Sequence, residues 1–597
     1  MSEQENGQDN ELSDDQEQTN ISGTSANEND EVSDCDENNI PEKRSKLESN
    51  INVNDENSSE NTEKKSSKKS IKWTSLEHKG PIFPPEYKPL PDIVKFIYDK
   101  KAIKLSPAAE EVAGFYANLL HHENTTKEIF NNNFFIDWRN VMTDVEKDLI
   151  KDFKKCDFSE MHAYFNVLVD NKKKQTTEDK KLLKLKQLKI QNEFGYCIMD
   201  GRKEKICNYK IEAPGLFLPH GKHPKMGKLK TRVTPEDLTI NCSKDSVVPI
   251  PPAGHKWGKV INDNTVSWLA SWVSNVSEKT KYVELDSSSQ LKRDSDKQKY
   301  ETAKKLHNYI EEIRNNYTKD SETSKSNSVR QRAVALYFID KLSLRAGNEK
   351  DEDEADTVGC CSLRVEHVEL HEKRNNEENV VELNFLGKDS INFYKELSVE
   401  AHIFNNLKSF KEGKKDSDDL FDQLNTKSLN DYLKDLMPEL TAKVFRTYNA
   451  SMMLQKKLEA FNKPNATLEE KILYYQKANL EVADHCNHQR TAKKTNSASV
   501  EKLERNISQK KIELARAITP ADRDRATKEL NKLQIRLEQS ANKKVALSTS
   551  KQHYMDPRIT VAWCLKHKVP IGKVYSKGLQ NKFQWAIKLA DKNYVFG

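Results

Sequence analysis

The sequence predicts a multidomain α+β protein whose second half is mostly helical. Its 597 residues are about four times the ~150 residues of a typical domain, so several hydrophobic cores are expected. Short β-like runs with frequent Pro and Gly fill residues 71 to about 290, and apolar residues at helical spacing dominate after them. Hydrophobic residues make up 35% of the chain, and no apolar run approaches the ~18–20 residues of a membrane span.

Residues 1–70 are predicted to form a disordered acidic tail. They are rich in Glu, Asp, Asn and Ser and lack aromatic residues, so they cannot bury enough apolar surface to fold. Basic clusters at residues 41–46 and 64–69 interrupt the tail and are typical of nuclear import signals, although solubilising charge explains them equally well. Nine cysteines without framework spacing fit a reducing compartment. We therefore expect a nuclear protein that an import receptor binds through these clusters.

The two central regions are predicted to differ in fold. Residues 71–290 should be α+β with long loops, including helices at Pro107–His121 and Glu178–Phe194. Residues 291–491 should be mostly helical, with helices over Tyr300–Tyr317 and Val329–Ala346. Two β-branched or aromatic runs separated by a polar turn predict one strand pair in this second region, at Ser362–Leu370 and Val380–Leu386.

Residues 492–545 are predicted to form an antiparallel helical hairpin. Apolar residues recur at about heptad spacing on both sides of Thr519-Pro520, which is an N-cap followed by proline at the first helical position. The apolar seam is narrow for a core, so the hairpin is expected to project from the body. Residues 546–597 return to a compact composition and predict a small C-terminal helical domain.

Net charge separates the acidic tail from a basic body. Residues 1–60 carry 18 acidic and 3 basic side chains, a net charge of −15, and the remaining residues carry 95 basic and 75 acidic side chains, a net charge of +20. Such an excess favours a polyanionic partner, because each neutralised phosphate releases counterions. Charge alone gives nucleic-acid binding and an ordinary solvated surface about equal weight.

The short motifs predict neither a metal site nor a nucleotide site. The segment His485-Cys486-Asn487-His488 crowds two histidines into one turn, and no second Cys/His pair lies nearby to complete a zinc site. The segment Gly387–Ser390 lacks the spacing of a phosphate-binding loop. We therefore expect no cofactor and no metal. Four basic residues stand in distinctive contexts, yet each considered singly is more often structural than catalytic: Arg345, Lys388, Arg446 and His488.

Longer segments carry a signal that single residues do not. These are Leu344–Lys350 (LRAGNEK), Ala355–Arg364 (ADTVGCCSLR), Phe385–Ser390 (FLGKDS), Ala442–Ala450 (AKVFRTYNA), Cys486–Arg490 (CNHQR) and Thr549–Thr560 (TSKQHYMDPRIT). Together they resemble eukaryotic type IB DNA topoisomerase I. Residues 72–91 and 251–272 resemble the N-terminal core of that family, so the resemblance covers about residues 71–597.

The resemblance implies a catalytic pentad of Arg345, Lys388, Arg446, His488 and Tyr554. Attack of Tyr554 on a backbone phosphorus would give a 3′-phosphotyrosyl intermediate that retains the bond energy, so religation would need neither ATP nor metal. The arginines and His488 would hold the charged phosphate oxygens, and Lys388 would protonate the leaving 5′-oxygen. The group that takes the tyrosine proton stays open.

The resemblance also implies contacts with double-stranded DNA, mostly to phosphate and sugar and therefore largely independent of sequence. The implied contact residues are Trp268, Lys281, Tyr282, Lys299, Ala346, Gly347, Asn348, Glu349, Lys350, Thr357, Thr441, Ala442 and Lys443, with His220 left open. The implied architecture is a two-lobed clamp around the duplex, with residues 71–290 as the cap lobe and residues 291–491 as the catalytic lobe. The implied function is relaxation of positive and negative supercoils by a monomer.

Two other functions stay open. A tyrosine recombinase uses the same nucleophile and paired arginines, but the long cap region and the hairpin favour relaxation. A non-catalytic chromatin-binding protein would also be basic, but the complete pentad argues against it. A mitochondrial form is disfavoured by the acidic N-terminal segment, which does not resemble an Arg-rich transit peptide.

Two places depart from the family pattern. His553 stands where the family has asparagine before the nucleophile, and residues 218–221 read Leu-Pro-His-Gly where the family has Arg-Gly-Arg-Gly. In the family, groups at these positions help to hold the alkaloid camptothecin at the cleaved strand.

We expect camptothecin to stabilise cleavage by this chain less well than in the family. Imidazoles replace a forked guanidinium and an amide, and the loss of one or two hydrogen bonds at about 1–2 kcal/mol each corresponds to a roughly five- to several-hundred-fold lower drug affinity. Titration of cleavage complexes with the drug, on this chain and on a Pro219→Gly, His220→Arg, His553→Asn variant, measures the difference. Equal responses would show that the departures are neutral.

Overall fold

The computed structural model describes residues 70–348, 350, 354–489, 495–541 and 546–597. All of the predicted acidic tail except its final residue therefore lies outside the described residues. The chain divides into two compact units. The first contains the described residues up to 201 together with 208–218 and 225–284, and the second contains 202–207, 219–224 and the described residues from 285 onward.

The first unit mixes small sheets with helices. Its strands are β1 (Leu76–His78), β2 (Phe96–Tyr98), β3 (Lys101–Ile103), β4 (Cys156–Asp157) and β5 (Tyr196–Met199), then β7 (Gly215–Leu216), β8 (Leu229–Lys230), β9 (Thr239–Asn241), β10 (Lys259–Ile261), β11 (Ala270–Val273) and β12 (Thr280–Val283). Its helices are α1 (Pro107–Asn118), α2 (Glu128–Val141), α3 (Asp144–Leu149), α4 (Ser159–Lys173) and α5 (Thr177–Phe194). An aromatic core lies under α1 and α2, where Phe130, Phe134 and Trp138 are fully buried.

The two helices predicted in the first unit are confirmed, and local chemistry explains where they begin. Pro107 occupies the first turn of α1, where its missing N–H leaves no bond unmade. The helix α5 begins with a capping box, in which Thr176 and Asp179 each bind the backbone N–H of the other. In the four-stranded sheet, β9 pairs parallel with β10 and antiparallel with β11, which pairs antiparallel with β12.

The second unit is mostly helical and carries one three-stranded sheet. Its helices are α6 (Gln290–Lys305), α7 (Ile310–Thr323), α8 (Asn327–Leu342), α9 (Ala401–Lys411), α10 (Thr426–Leu436), α11 (Ala442–Glu459), α12 (Leu468–His485), α13 (Thr495–Arg516), α14 (Pro520–Ala541), α15 (Leu547–His553), α16 (Pro557–Lys566), α17 (Lys577–Lys582) and α18 (Gln584–Leu589). Its strands are β6 (Arg202–Lys205), β13 (Val368–Arg374), β14 (Glu377–Leu386) and β15 (Asn392–Ser398). The mixture of helices and strands in the described residues confirms the predicted mixed fold class.

Three details of the second unit differ from the sequence prediction. The helix predicted over Tyr300–Tyr317 is broken by a 3₁₀ turn at Leu306–Asn308. The helix predicted to reach Ala346 ends at Leu342, because Ser343 adopts a left-handed conformation with φ of +52°. The predicted strand pair is a three-stranded antiparallel sheet in the order β13-β14-β15, and its first strand begins only at Val368.

The helices α13 and α14 occupy the positions predicted for the hairpin. Thr519 accepts the Asp522 N–H through its hydroxyl at 3.1 Å, which is the predicted N-cap before Pro520. An ion pair of 2.6 Å joins Lys510 of α13 to Glu529 of α14. In addition to this ion pair, the two helices have a narrow apolar seam that includes the buried residues Ile507 and Leu530.

One hydrophobic core joins α8, α11, α12 and the segment after residue 546. Phe338, Phe445, Tyr475 and Tyr554 are all buried in it. Tyr554 is therefore packed into the same core as the helices before the hairpin, although about 100 residues separate it from α11 in the sequence. Among the described residues, no helix is both long and apolar enough to cross a membrane.

A buried histidine fixes the first strand of the first unit. The Nε2 of His78 lies 3.0 Å from the Asn241 carbonyl oxygen, and its Nδ1 accepts the Gly80 N–H at 3.1 Å. This arrangement requires a neutral ring that donates through Nε2 and accepts through Nδ1. Burial lowers the pKa of His78 to about 4, with the hydrogen bond to Asn241 opposing the shift.

We expect the first unit to lose stability in mild acid because of His78. The native ring stays neutral, whereas the unfolded ring takes up a proton near its ordinary pKa of 6.5, so the stabilisation is complete above pH 6.5 and is lost as the pH falls through about 4. The pKa shift corresponds to roughly 3 kcal/mol. Urea unfolding at pH 7.5 and pH 4 should show the loss in the wild type and much less of it in His78→Gln, whose amide can donate to the Asn241 carbonyl and does not titrate. An exposed control, His121→Gln, should behave like the wild type.

Candidate active site

Tyr554 lies immediately after α15, with its side chain buried in the core. Its backbone N–H donates to the Ser550 carbonyl at 3.0 Å, and its carbonyl accepts from the Ser451 hydroxyl at 3.2 Å. The same hydroxyl accepts the Asp556 N–H at 3.0 Å. Ser451, on α11, therefore fixes the backbone on both sides of Met555 and with it the position of the tyrosine.

His488 stacks on Tyr554. The two rings are 5.3 Å apart between centroids and inclined by 26°. The imidazole Nδ1 lies 2.8 Å from the Ser550 hydroxyl, and its Nε2 lies 3.3 Å from Nη2 of Arg446. Because a guanidinium can only donate, Nε2 accepts and Nδ1 carries the proton. His488 is therefore neutral in this arrangement.

Arg446 is a buried cation on the second turn of α11. Its Nη1 donates to the Ser343 carbonyl at 3.0 Å, its Nη2 donates to the Cys486 carbonyl, and its Cζ lies 4.9 Å from the centroid of the Tyr554 ring. Its Nε–H is buried and has no hydrogen-bond partner within the part of the chain that the structure describes. A buried donor without a partner is energetically costly, so this N–H is a candidate to bind an acceptor that the described residues do not supply.

Arg345 lies near this cluster because α8 ends at Leu342, before the arginine. The Arg345 carbonyl accepts the Cys360 N–H at 2.8 Å, and the chain then passes Gly347, whose φ is +78°. A Cβ on Gly347 would lie 2.4 Å from the Cα of Gly359, so the two backbones touch. Burial raises the pKa of Cys486, and the charges of Arg446 and Arg345 oppose that shift, which places both guanidiniums near the same thiol.

Lys388 lies in the turn between β14 and β15. Its side chain is half-buried, and the turn is closed by a hydrogen bond of 2.9 Å from the Gly387 N–H to the Ile391 carbonyl. The Asn392 carbonyl accepts from the side chains of Asn487 and Gln489, on either side of His488, at 3.4 and 3.3 Å. These bonds hold the lysine turn beside the histidine loop.

Comparison with known proteins decides what this cluster belongs to. Three family models match in chain order: the eukaryotic DNA topoisomerase I DNA-binding fragment over residues 71–285, its catalytic core over 288–520, and the C-terminal topoisomerase domain over 527–596. The chain belongs to the eukaryotic DNA topoisomerase I family.

The relatives of this topoisomerase I family member carry two names, DNA topoisomerase 1 and DNA topoisomerase I, mitochondrial. DNA topoisomerase 1 of Drosophila melanogaster is 52% identical over 536 residues, which are 88% of this chain and 55% of the relative. Human DNA topoisomerase 1 is 52% identical over 552 residues, covering 88% of this chain and 72% of the relative. Human mitochondrial DNA topoisomerase I is 50% identical over 552 residues, covering 88% of this chain and 92% of the relative. The chain thus matches little more than half the length of the fly protein.

Three residues predicted from the family to contact DNA lie in the first unit. The rings of Trp268 and Tyr282 are 5.6 Å apart between centroids, and Lys281 extends from the exposed side of β12. Lys281 is paired in the sheet with Trp272, which is buried. An exposed lysine and a pair of aromatic rings are residue types that suit contact with a phosphate backbone and its sugars.

The other predicted DNA contacts lie in the second unit or outside the described residues. Glu349 is not among the described residues, and its neighbour Lys350 forms an ion pair of 3.4 Å with Glu354. Lys299 forms an ion pair of 2.7 Å with Asp296. The exposed or half-exposed members are His220, Ala346, Gly347, Asn348, Thr357, Thr441 and Lys443, whereas the Ala442 side chain is buried and leaves only its backbone for contact.

The histidine-cysteine segment has partners other than a metal. His485 Nε2 lies 2.9 Å from the Ser343 hydroxyl, and burial lowers its pKa, with the nearby Lys395 and Arg446 acting in the same direction. A second group of possible ligands consists of Glu369, His371 and Glu382, and the Arg374 guanidinium contacts two of them: it lies 2.8 Å from His371 Nε2 and forms an ion pair with Glu382. A cation of the protein itself therefore pairs with part of that cluster.

Ser550 and Ser451 are site residues that the sequence analysis did not single out. Ser550 lies four residues before Tyr554 and is fully buried against His488. Its only sequence signal is its place inside the family segment, because a serine in a short helix carries no periodic pattern.

We expect Gly347→Ala to impair DNA cleavage through the placement of Arg345. The alanine would combine a strained φ with a Cβ 2.4 Å from Gly359, and the backbone must shift to relieve it. A displacement of about 1 Å at the phosphate site is expected to cost roughly 100-fold in the single-turnover cleavage rate. Gly413→Ala is the matched control, since its φ is +73° and nothing lies within 4 Å of the added Cβ. Equal losses in both variants would contradict the explanation.

Proposed function

We propose that this chain is a type IB DNA topoisomerase that relaxes positive and negative supercoils by nicking, strand rotation and religation, without ATP or metal. The observation that supports this most directly is the buried cluster of Arg446, His488 and Tyr554, in which an unpaired guanidinium donor lies beside the tyrosine ring. Family membership supplies the substrate class, double-stranded DNA.

In the proposed reaction, the Tyr554 hydroxyl gives up its proton to a group that stays open, and its oxygen forms a bond to a backbone phosphorus as the bond to the 5′-oxygen breaks. Arg446 is already oriented by two carbonyls, so its Nε–H can bind a phosphate oxygen with little loss of side-chain entropy. Arg345 binds a second oxygen, and Lys388 gives its proton to the leaving 5′-oxygen. Religation reverses each step, so the phosphodiester bond energy is retained in the 3′-phosphotyrosyl linkage.

His488 can take its proposed role only in its protonated form. Its Nε2 accepts from Arg446 in this structure, so it must gain a proton there before it can donate to a phosphate oxygen. A bound phosphate favours that proton, because a negative charge within ~4–6 Å raises the pKa of an imidazole. DNA binding therefore favours the protonated form of His488, which can donate to a phosphate oxygen.

The proposed domain roles follow the resemblance. Residues 71–290 form the cap lobe of a clamp around duplex DNA, residues 291–491 form the catalytic lobe, and the hairpin at 492–545 links it to the tyrosine domain at 546–597. Phosphate and sugar contacts by the DNA-binding residues described above make binding largely independent of sequence. The chain acts as a monomer, and the basic clusters in residues 1–70 direct it to the nucleus through an import receptor.

We expect the purified chain to relax supercoiled plasmid in the presence of EDTA, and Tyr554→Phe to abolish relaxation and the covalent DNA adduct while DNA affinity stays within about threefold. The substitution removes only one oxygen, but that oxygen is the nucleophile. Gel electrophoresis of topoisomers and denaturing gels of the adducts formed on a 5′-labelled strand provide the measurements.

Tyr309→Phe, at a partly exposed tyrosine away from the cluster, is the matched control and should relax DNA normally. Strand exchange in place of relaxation would favour the recombinase alternative, and DNA binding without any adduct in the wild type would favour the non-catalytic one. An adduct that persists in Tyr554→Phe would refute the assignment of the nucleophile.

A further inference from the structure

Lys551 is a half-buried lysine on α15, three residues before Tyr554. Its Nζ donates to the Val574 carbonyl at 3.3 Å and lies 5.3 Å from the centroid of the Tyr475 ring. Both Val574 and Tyr475 belong to the hydrophobic core. The ammonium group therefore contacts two core residues, and it belongs to the helix that immediately precedes the nucleophile.

This ammonium group has no carboxylate to neutralise it. Within the residues that the structure describes, no Asp or Glu oxygen lies within ion-pair distance of Lys551. Desolvation lowers its pKa to about 8. Arg558, one turn beyond Tyr554, is a buried cation whose charge is neutralised by ion pairs with Asp556 and Glu301. Keeping an unpaired cation in a core is costly, and an apolar side chain of the same length would pack there more favourably.

The groups that face Lys551 do not supply a negative charge at neutral pH. Burial raises the pKa of Cys564, on α16, to about 12, and burial also raises the pKa of Tyr475, on α12. Burial likewise raises the pKa of Tyr575, in the segment after Val574. All three therefore stay protonated and neutral, so the cation is compensated mainly by the carbonyl dipole of Val574 and the face of Tyr475.

A second lysine binds the same helix from the opposite direction. Lys582, on α17, is buried and donates to the Gln552 carbonyl at 2.8 Å. Lys551 reaches from α15 to the segment before α17, and Lys582 reaches from α17 back to α15. The helix α15 has only seven residues, too few to be stable alone, so such tertiary bonds determine its position.

The position of α15 sets two contacts of the active site. Ser550, the neighbour of Lys551, presents its hydroxyl to His488 Nδ1, and Tyr554 follows the last turn with its ring on the imidazole. A rotation of α15 about its axis would separate both contacts together.

We propose that Lys551 is a positioning residue for Tyr554: its ammonium group ties α15 to the Val574 carbonyl and so holds Ser550 against His488 and the tyrosine ring against the imidazole. This inference rests on the proposed function, because it requires Tyr554 to be the nucleophile. It explains why a cation is kept where packing alone favours an apolar side chain.

The test compares Lys551→Met, Lys551→Arg and a matched exposed lysine of the same region, Lys566→Met, in the full chain. Single-turnover cleavage of a labelled duplex, non-covalent DNA affinity and the thermal unfolding midpoint are measured for each. Lys551→Met should cleave about 10- to 100-fold more slowly than the wild type, because the nucleophile is no longer held in line. Its DNA affinity should stay within about twofold, and its unfolding midpoint should be unchanged or higher by about 2 °C or more, since a desolvated charge has been removed.

Lys551→Arg should recover cleavage to within about fivefold of the wild type, because it restores a donor and the charge, and Lys566→Met should match the wild type throughout. Wild-type cleavage by Lys551→Met would overturn the proposal. A lowered unfolding midpoint together with lost cleavage, including failure to fold, would also overturn it, because Lys551 would then be an ordinary structural residue. A wild-type chain that does not cleave would refute the proposed function itself, and the role of Lys551 would fall with it.

Discussion

The guanidinium of Arg446 connects the ends of two helices of the second unit. It donates to the carbonyls of Ser343 and Cys486, which are the C-caps of α8 and α12. The carbonyl end of a helix carries partial negative charge, so one buried cation satisfies two helix termini at once. The same group borders the ring of Tyr554, which arrives from a segment about 100 residues further along the chain. The placement of the other site residues depends on this contact.

Two of those placements follow directly. Because α8 stops at Leu342, with Ser343 left-handed, the chain turns out of the helix before Arg345 and passes Gly359 at backbone contact. Because α12 stops at the Cys486 C-cap, His488 leaves the helix axis and faces Ser550. In both cases the end of a helix, rather than its body, provides the functional residue.

Much of the fold could be predicted from local chemistry. The Thr519 N-cap, the proline at the start of α1 and the capping box of α5 specify their elements by interactions within a few residues. The predictions of helix and strand ends were wrong at places where tertiary contacts determine the structure. Apolar spacing continues smoothly through residues 343–346, yet the carbonyl of Ser343 is taken by Arg446, and no pattern within the helix announces that partner. The third strand, β15, is an alternating polar run whose stability depends on its neighbour β14.

Composition and periodicity did not identify the residues of the site. Nothing intrinsic separates Arg446 or Tyr554 from other arginines and tyrosines, and only the longer family segments indicated them together. The structure brings Arg446, His488 and Tyr554 into direct contact and places Arg345 and the Lys388 turn beside them. Ser550 and Lys551 could not be inferred, because their importance lies in which buried groups they meet and not in their residue type.

The unpaired Nε–H of Arg446 also describes the protein without its substrate. Natural sequences are minimally frustrated, and the positions that stay in conflict with their surroundings tend to be those where function requires it. Here the conflict is a buried donor that no described protein group satisfies. The site is therefore locally frustrated, and in the proposed function a phosphate oxygen supplies the acceptor that the described protein groups do not. On that proposal the nucleic-acid backbone is the last element of the fold, added each time the protein binds DNA and removed each time it releases it.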